Sequence, residues 1–227
     1  MSSPQVSPTS GSAPAAPGAT DRDVPVHDAQ RDVTEVSSSA DDFKKVFTWR
    51  GVDATRLEQV RVQVTGLRVK AFGQVIGAAT DTHEAFSATY DLLTNDAGVT
   101  RRLSVHLARA GGETQISITR DGENNWLVQT PQGTERSDFG GAQDVDLVLS
   151  PFFNALPIRR LDLHRNPTQI QVPVVYLYLP EGSVAPATVS YDSSADGIAV
   201  QSPVGSSSIT TDDSGFVRDY EGLAERI

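Results

Sequence analysis

The sequence predicts a mainly β fold, a single large curved antiparallel sheet with one or two short helices. Apolar and polar residues alternate in run after run from Phe43 onward. Turn signals break these runs at short intervals, and the 18 glycines and 13 prolines recur too often for long helices. Glycines inside the alternating runs mark bends, which is how a broad sheet curls.

Residues 1–42 stand apart. Ser7-Pro8-Thr9-Ser10-Gly11-Ser12 typifies a stretch whose valines, Val24, Val26, Val33 and Val36, are isolated and aperiodic. Such a segment buries too little to offset its ordering entropy. It is read as a disordered Pro/Ser/Ala-rich tail, with residues 43–227 as one folded domain. A first strand covers residues 42–50. Val60, Val62 and Val64 line one face of a second, and residues 53–59 ahead of them are a short-helix candidate. Past Gly66 the apolar parity moves to Leu67, Val69 and Ala71, which predicts a bend or β-bulge at the glycine. Phe86, Ala88, Tyr90 and Leu92 alternate next, before the turn Asn95-Asp96-Ala97-Gly98. Leu103, Val105 and Leu107 face Thr114, Ile116 and Ile118 across a Gly111-Gly112 hairpin, and Trp126 opens another strand. Residues 169–179 form the longest apolar strand. Its second half is apolar on both faces and therefore central, whereas Pro173 places its first half at an edge or bulge. Residues 188–191 and 197–200 make a further hairpin, and residues 216–220 the last strand. Residues 151–156 are the other helix candidate.

Composition narrows the function. Lys and Arg number 19 against 29 Asp and Glu, a formal net charge of -10. No basic stripe suits nucleic acid and no polybasic cluster suits an anionic membrane. Cysteine is absent, so thiolate metal sites, disulfides and thiol nucleophiles are excluded. His27, His83, His106 and His164 lack metal-ligand spacing. No cofactor motif, no secretory signal and no apolar run of membrane-spanning length is present. The expectation is a cytoplasmic protein without metal, cofactor, nucleic-acid partner or membrane insertion. A homodimer is compatible with it.

The chemistry concentrates in residues 140–163. Asp144 and Asp146 lie two apart in an apolar run, so on a strand they share a face. A Pro-aromatic connection follows, then Arg159 and Arg160 open a second apolar run, read here as extended. If the chain doubles back, carboxylate and guanidinium meet. Three uses are open: structural ion pairs among Asp144, Asp146, Arg159 and Arg160; an acid–base pair spaced as in glycosidases, at ~5–9.5 Å; and headgroup recognition by the arginine fork. Adjacent arginines would lower both carboxylates and leave neither poised as an acid, which favours ion pairing.

This stretch also carries a resemblance. Asp144-Val145-Asp146-Leu147, Pro151-Phe152, Asn154 and Leu156-Pro157-Ile158-Arg159-Arg160-Leu161 resemble the hallmark of the bacterial family named for putative glycolipid binding, formerly a domain of unknown function. Asp213-Ser214-Gly215-Phe216-Val217-Arg218-Asp219-Tyr220, with Leu223 and Arg226, is similar to its ending, and the likeness covers about residues 46–227. Phe153 and Ala155 replace usual threonines, and Glu221 stands where proline is common. The resemblance implies a spiral β-roll or half-barrel whose motif connection crosses the hollow. It also implies non-enzymatic binding of a lipid or glycolipid in an apolar concavity. Phe152, Phe153, Tyr176 and Tyr178 are then candidates for the apolar lining, and Arg159 and Arg160 for the headgroup. The alternatives are a structural or protein-interaction β-domain, and a sugar or lipid hydrolase using Asp144 and Asp146.

Overall fold

In the computed structural model, which describes residues 42–227, the alternating runs become fifteen strands joined edge to edge in one open sheet. In chain order they are β1 (Phe43–Gly51), β2 (Arg56–Thr65), β3 (Arg68–Gly77), β4 (Phe86–Thr94), β5 (Thr100–Arg109), β6 (Gly112–Arg120), β7 (Trp126–Thr130), β8 (Gly133–Ser137), β9 (Asp144–Leu147), β10 (Gln169–Leu177), β11 (Val184–Ser194), β12 (Gly197–Ser202), β13 (Gly205–Thr211), β14 (Val217–Tyr220) and β15 (Ala224–Arg226). The tail expected over residues 1–42 lies outside the described residues except for Asp42, whose Oδ1 accepts the Gly66 N–H at 3.0 Å.

Two meanders build the sheet. One runs from β1 to β8 and the other from β10 to β15, and they join where β1 pairs with β15. All pairings are antiparallel except β9 with β10. The connection between those two contains the helix α1 (Pro151–Arg160), as parallel neighbours require a crossover. Eight successive residues of α1, Pro151 to Ile158, are buried. A helix segment buried on every side belongs inside a core, and α1 touches both apolar clusters. Phe152, Phe153, Ala155 and Leu156 join the cluster formed largely by β1–β7, and Ile158 joins the one formed by β10–β14.

Three local expectations are corrected. Residues 53–59 are not helical: a turn leads into β2, whose inner face begins with Arg56 and Glu58. These two polar residues are 6% and 2% exposed and hide the alternation that Val60, Val62 and Val64 display. Gly66 is not a bulge. It opens a two-residue hairpin loop between Thr65 and Arg68, at φ 56°, and such a loop switches apolar parity by itself. Finally, Ile158, Arg159 and Arg160 are the last turn of α1, not the start of a strand. Pro173 pairs with Thr188 on one side, while β9 reaches only Val174 to Leu177 on the other, so the first half of β10 is an edge. No helix among the described residues is long and apolar enough to cross a membrane.

Candidate functional site

The N-terminus of α1 is held by a carboxylate from another element. Ser150 is the N-cap residue but makes no capping bond of its own. Its hydroxyl instead donates to Glu58 Oε1 at 2.5 Å, the Tyr90 hydroxyl donates to the same oxygen at 2.6 Å, and the Phe152 N–H donates to Oε2 at 3.4 Å. A negative group at a helix N-terminus is favoured by the dipole. Burial nevertheless pushes the Glu58 carboxyl up to about 7, against the lowering effect of these donors and of Arg56. Gly73 makes the arrangement possible, because a Cβ there would fall on the Tyr90 ring. Around this network Phe152 stacks on Tyr90 at 5.9 Å and meets Phe153 edge-on at 5.4 Å. Phe152 and Phe153, expected to line a cavity, are 0% and 1% exposed and fill the space between the sheet and α1.

The acid and arginine pairs divide. Asp144 meets Arg160 at 2.5 Å, with side chains 0% and 12% exposed. Arg159 turns the other way, donating to the carbonyls of Ser214 and Gly66 and lying 4.9 Å over the Phe216 ring. Successive residues at a helix end point roughly 100° apart, so the two arginines cannot act as one patch. Asp146 forms no ion pair among the described residues, so an Asp146–arginine pair is not part of the structure. Burial pushes its carboxyl up to about 7, opposed by a backbone bond at Leu147 and reinforced by the charge of Asp144.

Asp146 instead borders a half-open cleft of about 260 Å³. Ser150 and Asn154 from the start of α1, Tyr176 from β10, Ser202 from the end of β12, Ser206 and Ser207 from β13, Tyr220 from β14 and Glu221 after it complete its polar wall. Leu147, Val148, Val204 and Leu223 supply apolar surface. Asn154 accepts the Tyr191 hydroxyl at 3.1 Å through Oδ1, which leaves its amide nitrogen as a donor. Burial, and after it the Asp146 charge, raises the phenols of Tyr176, Tyr191 and Tyr220. The cleft thus sets a carboxylate, an amide and phenol hydroxyls beside aromatic and aliphatic faces. That combination hydrogen-bonds hydroxyl-rich ligands and packs against their C–H surfaces. Tyr178 meets Tyr176 edge-on at 4.9 Å and does not border the cleft. Asn154, Ser150 and Tyr220 were not foreseen as site residues. The one signal was the asparagine embedded in an otherwise apolar helix. Among the described residues no group of three or more His, Asp or Glu converges as a metal site would require.

A second concavity, a shallow groove of about 540 Å³, lies at the ends of β2–β5 between Leu57, Ile76, Ala78, Phe86 and Ala108, with Arg109 at its edge. Arg56 borders this groove and donates to the Leu223 carbonyl at 2.7 Å, and Leu223 borders the cleft.

The two raised carboxyls set a pH dependence. Free Glu58 and Asp146 would titrate near 4.5 and 3.8, whereas both hold their protons to about 7 in the native state. Between those values the unfolded chain has released protons that the native chain retains, so stability falls as pH rises. The contribution is complete below about pH 4 and absent above about pH 7. In Asp146→Asn, the decline in thermal midpoint from about pH 5 to about pH 8 should be shallower than in wild type. Parallel pH profiles for the two proteins would refute the burial of a protonated Asp146.

Comparison with known proteins follows the same outline. The profile of a family described as "Putative glycolipid-binding" matches residues 46–226. A crystal structure of a DUF1089 family protein from Pseudomonas aeruginosa superimposes with a TM-score of 0.60 at 21% identity, over 75% of this chain and 92% of that one. That likeness concerns the fold. A search of curated proteins finds no match.

Proposed function

We propose, for a chain that belongs to the putative glycolipid-binding family, that it binds a glycolipid without transforming it, holding the sugar in the Asp146 cleft. The observation that carries this reading is the position of Asp146. It is a buried carboxyl group with no ion pair among the described residues, facing the cleft beside Asn154, Tyr176 and Tyr220. This reading puts the ligand in the cleft bordered by Asp146 and Leu147 of β9. It assigns the acyl chain to the apolar groove along Leu57 and Ile76. Each methylene buried there contributes about 0.8 kcal/mol. The hydrolase reading on Asp144 and Asp146 needs both carboxylates at the reacting centre, and Asp144 is sealed against Arg160.

Titration calorimetry with a panel of octyl glycosides below their micelle concentration tests the reading. At least one should saturate at a single site. Asp146→Asn should weaken it about tenfold, the loss of one hydrogen bond. Ile76→Asp should weaken the octyl but not the methyl glycoside. No saturable binding to any member of the panel would refute the proposal.

A further inference from the structure

The cleft beside Asp146 carries charge of one sign. Two of its bordering residues are acids, Asp146 and Glu221, and none is Lys, Arg or His. Asp146 is only 8% exposed, and neither acid forms an ion pair among the described residues. The elements packed around the Asp146 carboxyl bring no cation to it. Asp144, its neighbour on β9, adds charge of the same sign, and Arg160 is bound to Asp144. The strands β10, β11 and β14 present the phenols of Tyr176, Tyr191 and Tyr220. From α1 come Ser150 and Asn154, and Ser150 is bonded to a further acid, Glu58. Arg56 donates to the Leu223 carbonyl but borders the groove rather than the cleft. Asp144 Oδ1 is sealed from solvent, whereas Asp146 borders about 260 Å³ of half-open space.

A buried acid is ordinarily paired, and nothing among the described residues pairs with this one. We propose, on the reading that the cleft holds a glycolipid's sugar, that it selects an amino sugar whose protonated amine donates to the Asp146 carboxylate. The Asn154 amide and the Tyr176 and Tyr220 hydroxyls are left for the ring hydroxyls. A charge-assisted bond of this kind is roughly twice as strong as a neutral one. The half-open cleft leaves the ammonium part of its water, which limits the desolvation cost of a buried pair. A sugar bearing a carboxylate would meet two acids and no cation, a repulsion that selects against it. The space is smaller than the ~300–1,000 Å³ pockets that take drug-sized ligands, so it suits a single ring. Burial holds the Asp146 proton to about 7. A bound cation favours the ionised carboxylate, so binding in mild acid expels that proton.

Calorimetry of the full chain at about pH 7 compares three probes below their micelle concentrations: octyl 2-amino-2-deoxyglucoside, octyl glucoside and octyl glucuronide. The amino glycoside should bind about tenfold tighter than the glucoside, the gain of a bond to a charged group, and the glucuronide more weakly than either. From about pH 5 to about pH 7 the affinity for the amino glycoside should rise about tenfold or more, because Asp146 no longer has to give up a proton. The affinity for the glucoside should not rise. Asp146→Asn should remove both the preference and the rise. An amino glycoside that binds no tighter than the glucoside, a preference that survives in Asp146→Asn, or a glucuronide that binds as tightly as the amino glycoside would overturn this inference and leave the glycolipid reading standing. No binding of any of the three would overturn both.

Discussion

Replacing Glu58 by alanine is expected to cost about 3–5 kcal/mol of stability, as when one partner of a buried polar cluster is removed. The carboxylate accepts from Tyr90, Ser150 and the Phe152 N–H, all inside the core. Alanine leaves each donor without an acceptor, at about 1–3 kcal/mol for a group that stays buried. It also removes the side-chain acceptor at the start of α1, so the helix that fills the roll loses its anchor. Glu58→Gln keeps the shape and one acceptor oxygen, and should cost less. Urea unfolding with an unchanged slope is the measurement. A loss below about 1 kcal/mol, within the range of an ordinary surface change, would show that α1 is held by packing alone.

The second large effect concerns Asp144 and Arg160. Arg160→Ala strands a fully buried carboxylate and should cost about 3–5 kcal/mol. Asp144→Ala should cost less, because Arg160 keeps 12% of its side chain exposed and has an outlet to water. Asp144, already raised by burial, would take a proton once Arg160 is gone. The penalty of Arg160→Ala should therefore shrink in acid. The double variant should fall well short of the sum of the singles. Additive losses would mean that the two side chains stabilise the fold separately.

The architecture was legible because most strands keep one apolar face, as with Phe86, Ala88, Tyr90 and Leu92 or Leu103, Val105 and Leu107. It failed at β2, where Arg56 and Glu58 occupy inward positions and break the alternation, and those are the residues that tie β2 to α1 and to Leu223. It failed again after Pro157. Proline inside an apolar run reads as a break, yet here it lies one turn before the helix ends. Read as strand residues, Arg159 and Arg160 would point to opposite faces, and as the last turn of a helix they again go to different partners, Arg160 to Asp144 and Arg159 to the Phe216 ring. The motif itself was recognisable, and its residues do gather around one helix. The cleft was not legible, since Asp146, Tyr176, Ser202 and Tyr220 come from four elements and meet only through the order of β9 to β14. Phe152 and Phe153 are cavity-lining or core residues on sequence alone, and the choice depends on what packs against them.

The central claim is that Asp146 and its neighbours hold a sugar-bearing ligand. Its most direct test is an NMR titration of the isotope-labelled protein with the tightest-binding octyl glycoside. Saturable shifts should appear at the Asn154 side-chain amide and at the Tyr176 and Tyr220 rings, together with Leu57 and Ile76, and in Asp146→Asn the cleft shifts should need about tenfold more ligand to saturate. Shifts confined to the Leu57–Ile76 groove, or cleft shifts that persist unchanged without the Asp146 carboxylate, would contradict the account.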